Sequence, residues 1–319
     1  MRDMLRIVVL DRATLGFDIS MAPLEALGEC VAYDTTPQEA VGERMADADV
    51  IVINKIKIGE AELEHAKRLR LICITATGYD NVALEACRRH GVAVCNVVGY
   101  STESVAGLTV ACALSLWHHL PTYADYVSSG AYTESGVANC LAPVYRELTG
   151  AVWGIVGCGN IGQAVARAAR AMGCRVIAYS RTPKDGVENV GLDALCRQSD
   201  IISLHVPLND GTRHLIDREH LSLMKPHAVL VNVARGGIWD EAAVADAMRE
   251  GRLGGVACDV YTKEPFGHDH PFASLGDDRR VLLTPHVAWG AYEARERLVD
   301  EVAQNIACYL DGREQNRLV

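Results

Sequence analysis

Hydrophobic positions fall into short unbroken runs separated by longer amphipathic stretches. Ile7–Leu10, Asp49–Asn54 (DVIVIN), Leu71–Thr75 (LICIT) and Val92–Asn96 are rich in β-branched residues and too short for helices. Between them Glu60–Leu69 and Val82–His90 read as helices, the second closed by Gly91. A second series begins near Gly150. Its predicted strands are Val152–Val156, Arg175–Ser180, Ile201–Val206, Ala228–Ala234, Gly255–Val260 and Val281–Leu283. Its helices are Ile161–Met172, stopped by Gly173, and Asp240–Arg249, stopped by Gly251. Runs such as IISLHV and AVLVNV do not alternate, as expected of strands covered by helices on both faces. Glu103–Trp117 is apolar nearly all round, and Glu293–Leu310 carries a helical stripe from Leu298 to Leu310. The polar stretch Val127–Leu148 reads as a loop with short helical turns. Strand–helix–strand spacing of this kind predicts an α/β protein with parallel sheets and right-handed crossovers.

Composition narrows the function. The 319 residues are 49% hydrophobic and 23% charged, which supports a packed core and excludes disorder as the main state. A net charge of −10 argues against a general nucleic-acid binder and against an anionic membrane surface. The apolar stretch Val105–Trp117 is shorter than the roughly 20 residues a bilayer span takes. The N-terminus, with Arg2, Asp3 and Arg6 before the first strand, has no signal-peptide pattern. The 11 cysteines contain no CxxC, so a zinc ribbon is not available, and scattered single thiols at apolar positions fit a reducing cytoplasm.

The strongest local signal is GIVGCGNIG. It places Gly157, Gly159 and Gly162 in G-x-G-x-x-G spacing between a strand and a long helix, the context in which that pattern cradles a dinucleotide. Gly157 supplies a tight turn, Gly159 allows close approach of a pyrophosphate, and the helix start at Asn160 and Ile161 offers N–H donors. Where an NAD site usually has a carboxylate, VIAYSRTPK presents Ser180 and Arg181, with Lys184 nearby. A guanidinium there pairs with a 2′-phosphate, so NADP is favoured and NAD stays open. Arg235, Glu264 and His286 each follow a predicted strand, the end of an α/β sheet where ligands sit, so all three can reach one cleft. The HDH group at His268–His270 precedes Pro271 and reads as a turn; no metal is expected.

The chain resembles the D-isomer-specific 2-hydroxyacid dehydrogenases nearly end to end. The motifs are ATGYDNVAL (76–84), YSTESVAGLTVA (100–111), WGIVGCGNIG (153–162), LHVPL (204–208), NVARGGIWDE (232–241), ACDVYTKEP (257–265) and TPHVAW (284–289). HVAW, EARERL and the terminal DGREQNRLV are most similar to the glycerate dehydrogenase (hydroxypyruvate reductase) branch. The resemblance implies two Rossmann-like domains. The nucleotide domain, 101–289, is inserted into a discontinuous substrate domain, 1–100 and 290–319. It implies hydride transfer between a nicotinamide cofactor and a small D-2-hydroxy or 2-oxo acid, with hydroxypyruvate or glyoxylate foremost and D-lactate- or phosphoglycerate-type substrates as alternatives. Arg235 would hold the substrate carboxylate, His286 would act as general acid, and Glu264 would orient the imidazole and favour its charged form. Thr77 and Gly78 would grip the carboxylate through backbone N–H groups, with Asn54 and Lys55 as neighbours. Val206, Pro207, Val233, Ala234 and Asp259 would contact cofactor, Asp259 facing the nicotinamide amide. The apolar helix after Tyr100 implies a homodimer, and Trp289 would narrow the pocket toward small polar substrates. The family pattern is broken at Gly107 and Ala83, where helix docking is expected to differ. Corepressors resembling the family keep the same arginine, glutamate and histidine, so a dinucleotide-sensing role is the alternative class.

Overall fold

A computed structural model describes residues 4–319; Arg2 and Asp3 lie outside the described residues. The chain divides into two compact units. One runs to Ser101 and resumes over Gly290–Val319; the other is Thr102–Trp289.

The first unit holds a five-stranded parallel sheet: β1 (Arg6–Val9), β2 (Glu29–Ala32), β3 (Val50–Ile53), β4 (Leu71–Ile74) and β5 (Ala93–Cys95), in the order β2-β1-β3-β4-β5. β3 and β4 are buried along their whole length, which explains their unbroken apolar sequences. β2 lies at the edge and is half exposed, and its sequence ECVA carries too little apolar pattern to be predicted. Helix Glu60–Leu63 is a single turn where periodicity predicts a helix to Leu69; turns replace the rest. Helix Leu84–His90 ends at Gly91 in the left-handed conformation, φ 68°.

The last helix, Tyr292–Leu310, belongs to this unit. Arg295 on its first turn binds Asp18 through two hydrogen bonds, 2.7 and 2.8 Å, and donates to the Leu15 carbonyl. That pairing holds the Asp18 carboxyl below its usual range. Asn305, almost fully buried on the same helix, donates to the Asn96 carbonyl at 2.9 Å and accepts from Asn316 at 3.0 Å. The last residues then run along the free edge of β5, with an antiparallel bridge between Cys95 and Arg317 and a bond from the Leu318 N–H to the Val94 carbonyl. A buried amide with both ends bonded is a specific joint, because removing it strands polar partners away from water.

The second unit holds a seven-stranded parallel sheet: β6 (Val152–Val156), β7 (Arg175–Tyr179), β8 (Glu188–Asn189), β9 (Ile201–Leu204), β10 (Val229–Asn232), β11 (Gly255–Cys258) and β12 (Val281–Leu283). The order is β12-β11-β10-β9-β6-β7-β8, so the winding reverses between β6 and β9. One core cluster includes Trp239, Phe272 and Met248; another lies where helix Thr102–Trp117 meets helix Asn160–Ala171 and the sheet. Trp289 packs on the second cluster. Two further helices, Leu192–Gln198 and Arg218–Leu223, and the two-residue strand β8 lack a long apolar pattern and are seen only in the structure. Between 120 and 148 the structure has helix Leu120–Ser128, then the short helix Ala131–Ser135 and irregular chain, as expected of a loop with short helical turns from Val127.

At the end of β9, both ring nitrogens of His205 are buried without a hydrogen-bond partner, though part of the residue remains accessible. Burial pushes its imidazole down to about 3. The unfolded imidazole protonates below its ordinary value near 6.5, whereas the folded one stays neutral until about pH 3. The penalty is therefore absent above pH 6.5 and grows as pH falls, reaching about 1.4 kcal/mol at pH 5.5. Thermal melts of wild type and His205→Leu should diverge in that direction, the wild type losing ground between pH 7.5 and 5.5. A difference that stays constant with pH contradicts a neutral buried ring. In the first unit, Asn305→Ala should lower stability by about 1–3 kcal/mol in denaturant titrations; an unchanged midpoint would show that the joint through Asn96 and Asn316 contributes nothing.

Candidate active site

The ends of β10, β11 and β12 are tied together by buried polar side chains. Asn232, fully buried at the end of β10, accepts from the Ala234 N–H at 3.1 Å and donates to the Arg235 carbonyl at 2.9 Å. Its own carbonyl receives the Asp259 N–H, 3.0 Å, from the end of β11. Asp259 is 2% exposed and its carboxylate accepts three donors: the Thr284 hydroxyl at 2.6 Å and the Val287 and Ala288 N–H groups at 2.8 Å each. The Asp259 carbonyl also accepts the His286 N–H at 2.8 Å. Residues 284–288 are thereby wrapped around one aspartate. His286 sits at φ 55° within that wrap, a left-handed conformation uncommon for a residue with a side chain.

His286 Nδ1 lies 2.6 Å from Glu264 Oε2. Both side chains are partly buried, 21% and 28% exposed. The other carboxylate oxygen, Oε1, accepts the Tyr261 N–H at 2.9 Å, so Glu264 is held at both oxygens. The Tyr261 hydroxyl lies between two strand ends, its one hydrogen shared between the Cys258 and Thr284 carbonyls at 3.1 and 3.0 Å, and burial pushes its phenol up. Arg235 begins the turn after β10, half-buried, with Nη1 bonded to the Ala234 carbonyl at 2.7 Å. Gly236 follows it, and a Cβ there would overlap Tyr261 C and Thr262 N. The arginine turn and the Glu264 loop are therefore in backbone contact, which no other residue at 236 allows.

The glycine motif forms a second feature at the reversal point. Gly157 has φ 95°, and a Cβ on it would lie 2.8 Å from the His205 carbonyl carbon. A Cβ on Gly162 would strike the Gly157 carbonyl oxygen, so this glycine allows the helix to pack against the turn. Gly159, in contrast, has nothing within 4 Å of its Cβ direction and is exposed, as is Asn160. The first intrahelical bond runs from Gln163 to Gly159, leaving the N–H groups of Asn160, Ile161 and Gly162 ahead of the helix ladder. An open approach beside the N-terminus of a 12-residue helix suits a pyrophosphate. Val206 flanks Gly157, and Pro207 is exposed beside it. Val233 is buried and Ala234 half-buried after β10.

At the end of β7, Asn189 clamps Ser180 by bonding its N–H and carbonyl, and the Ser180 hydroxyl donates to the Thr182 carbonyl. Arg181 is exposed and Lys184 half-buried.

In the first unit, Thr77 and Gly78 follow β4. The Thr77 carbonyl accepts from Asn96 at 2.8 Å and its hydroxyl donates to the Val97 carbonyl at 2.8 Å. Asn54 is buried, with an amide nitrogen that lacks a partner, and Lys55 is exposed. The N–H groups of both bond to the Asp11 carboxylate at 2.6–3.0 Å. Burial raises the Asp11 carboxyl above its usual value despite these donors.

Asn232, Tyr261 and Glu241 escape sequence reasoning as parts of the site. Only Asn232 leaves a trace there, as a polar residue ending the apolar run AVLVN. Among the described residues no group of three or more His, Cys, Asp or Glu could hold a metal, and all 11 cysteines are free thiols. No described helix is long and apolar enough to cross a membrane.

Comparison with known proteins places this geometry in a family. The family described as D-isomer specific 2-hydroxyacid dehydrogenase, NAD binding domain, matches residues 110–288. A glycerate dehydrogenase of Methylorubrum extorquens is 35% identical over 314 residues, covering 98% of each chain. A hydroxypyruvate reductase of Blautia hydrogenotrophica is 34% identical over 323 residues, covering 98% of this chain and 99% of the relative. Among solved structures, a protein of Thermus thermophilus superposes with a TM-score of 0.85 at 32% identity, over 99% of this chain and 100% of that one. An acyclic imino acid reductase in complex with NADPH and D-Arg does so with 0.85 at 28% identity, over 99% and 100%. A glycine turn, a histidine–carboxylate pair and an arginine thus lie at the ends of one parallel sheet, and the chain belongs to the D-isomer-specific 2-hydroxyacid dehydrogenase family, as an NAD(P)-dependent oxidoreductase of small 2-hydroxy and 2-oxo acids.

Proposed function

We propose that the protein reduces hydroxypyruvate or glyoxylate to D-glycerate or glycolate, with NADP preferred over NAD. The His286–Glu264 contact carries the mechanistic part of this reading. When bound, the nicotinamide supplies hydride to the 2-oxo carbon. Arg235 holds the carboxylate and draws electron density toward the carbonyl oxygen. His286 delivers the proton from Nε2 to that oxygen, and Glu264 at Nδ1 fixes the ring and stabilises its charged form. The product is the 2-hydroxy acid; hydride and proton balance the two-electron reduction. The backbone N–H groups of Thr77 and Gly78 are assigned to the substrate carboxylate, with Asn54 and Lys55 near it. The domain roles follow: the unit containing the glycine motif binds dinucleotide, and the discontinuous unit binds substrate.

Cofactor preference rests on the end of β7, where Ser180 and Arg181 stand in place of a carboxylate. Gly157, Gly159, Asn160, Ile161 and Gly162 hold the pyrophosphate; Val206, Pro207, Val233 and Ala234 line the rest. Asp259 acts through its grip on residues 284–288 as well as through any contact with the nicotinamide amide. The substrate assignment draws on the glycerate dehydrogenase and hydroxypyruvate reductase relatives and on a glyoxylate reductase of Thermococcus litoralis, 35% identical over 291 residues, covering 89% of this chain and 87% of that one. A homodimer is supported by an apolar strip beyond helix Ala131–Ser135, where Leu141 and Val144 are 77% and 80% exposed. Eleven free thiols fit a cytoplasmic location.

His286→Ala should lower kcat for hydroxypyruvate reduction by about 10²–10⁴-fold while NADPH binding, followed by fluorescence, is retained. Turnover at the wild-type rate would remove His286 as proton donor. Arg181→Ala should cut kcat/KM for NADPH by about ten- to a hundredfold and leave NADH nearly unaffected; an unchanged ratio of the two cofactors would dismiss the 2′-phosphate assignment. Kinetics with hydroxypyruvate, glyoxylate, pyruvate and a bulkier 2-oxo acid should rank the first two highest, and a preference for the bulky acid would overturn the substrate assignment.

A further inference from the structure

A second histidine–carboxylate pair lies behind the first. Glu241, at the start of helix Glu241–Arg249, accepts the Thr262 N–H on Oε1 at 2.8 Å. Its Oε2 lies 3.1 Å from His270 Nε2. Both side chains are nearly buried, 11% and 8% exposed. The Phe272 N–H donates to His270 Nδ1 at 3.2 Å, so Nδ1 is the acceptor and Nε2 carries the hydrogen that Glu241 receives. The ring is also packed among aromatics, 4.6 Å from Phe266 and 5.3 Å from Phe272 between centroids.

The two pairs meet at successive peptides, one on each side of the Tyr261 Cα. Glu264 takes the N–H of Tyr261 and Glu241 takes the N–H of Thr262. Each carboxylate gives its second oxygen to a histidine. Gly236, beside Arg235, presses on the Tyr261–Thr262 peptide that Glu241 binds. A shift of that peptide would press on the arginine turn and, through Tyr261, carry the adjoining N–H that holds Glu264.

We propose that Glu241 and His270 are positioning residues for the reaction, acting by fixing the Tyr261–Thr262 peptide, which packs against the arginine turn at Gly236 and adjoins the peptide that holds Glu264. They touch neither substrate nor cofactor in this assignment. The inference rests on the reading of His286 as proton donor with Glu264 beside it. It also gives a role to a histidine that the sequence offers only as part of a turn.

The test is steady-state reduction of hydroxypyruvate by the full chain. Glu241→Gln keeps the volume but sets an amide N–H or a weaker acceptor against the fixed His270 donor. It should lower kcat by about tenfold or more, because small misplacements of catalytic groups are costly. KM for NADPH should stay within about twofold of wild type, since the glycine turn is untouched. His270→Leu should give the same split. His270→Gln, whose side-chain amide can again donate to Glu241, should recover most of the lost kcat. Wild-type kcat in both Glu241→Gln and His270→Leu overturns the proposal, as does His270→Gln performing no better than His270→Leu. If Glu241→Gln does not fold, the two His270 variants decide alone. His286→Ala run alongside separates the two readings. Its inactivity beside fully active Glu241→Gln and His270→Leu rejects positioning only, whereas its full activity rejects the proton-donor reading and this inference with it.

Discussion

The backbone around Tyr261 ties together the strand ends that carry Arg235, Glu264 and His286. The N–H groups of Tyr261 and Thr262 are bound by two different carboxylates, and a glycine from the neighbouring strand end is packed against the peptide between them. Backbone positions are set by whole-sheet hydrogen bonding, so side chains anchored to them inherit the rigidity of three adjacent strands. A histidine and an arginine that come from different strand ends can in this way keep a fixed relation without touching each other. Asp259 extends the same logic: its carboxylate is spent on three donors of the 284–288 segment, and that segment holds His286 in a left-handed conformation. The strain of that conformation, of order 1–3 kcal/mol, is held in place by a buried aspartate rather than by the histidine itself.

In each unit, carboxylates at strand ends accept backbone amides. Asp11 receives the N–H groups of Asn54 and Lys55; Asp259, Glu241 and Glu264 do the same for later turns. Amide donors satisfy an anion without bringing in a competing cation, and they cost little conformational entropy because the turn is already ordered.

Much of this was legible from residue order. Unbroken apolar runs mark β3, β4, β9 and β10 because these strands are covered on both faces, and Gly91, Gly173 and Gly251 stop helices because each adopts positive φ. Gly157, Gly159 and Gly162 stand out by spacing alone. The edge strands β2 and β8 were not legible, since an exposed strand needs no apolar pattern and β8 is held by its neighbour rather than by burial. Glu241 gives no signal of its role, Asn232 shows only as a polar residue ending an apolar run, and His270 reads only as part of a turn. Their importance lies in which backbone atom each side chain meets, and that depends on residues 20 to 30 positions away brought close by the sheet. The helix expected over Glu60–Leu69 stopped after one turn, a reminder that local periodicity competes with the turns required to reach the next strand.

The joint formed by Asn96, Asn305 and Asn316 has a bearing on how the chain is made. The first sheet takes its closing helix and the strip alongside β5 from the final 30 residues, Gly290 onward. During synthesis the inserted unit is complete once Trp289 leaves the ribosome, while the earlier segment still lacks those parts. The first unit therefore cannot make its full set of native contacts until after the inserted one can, although its strands are translated first.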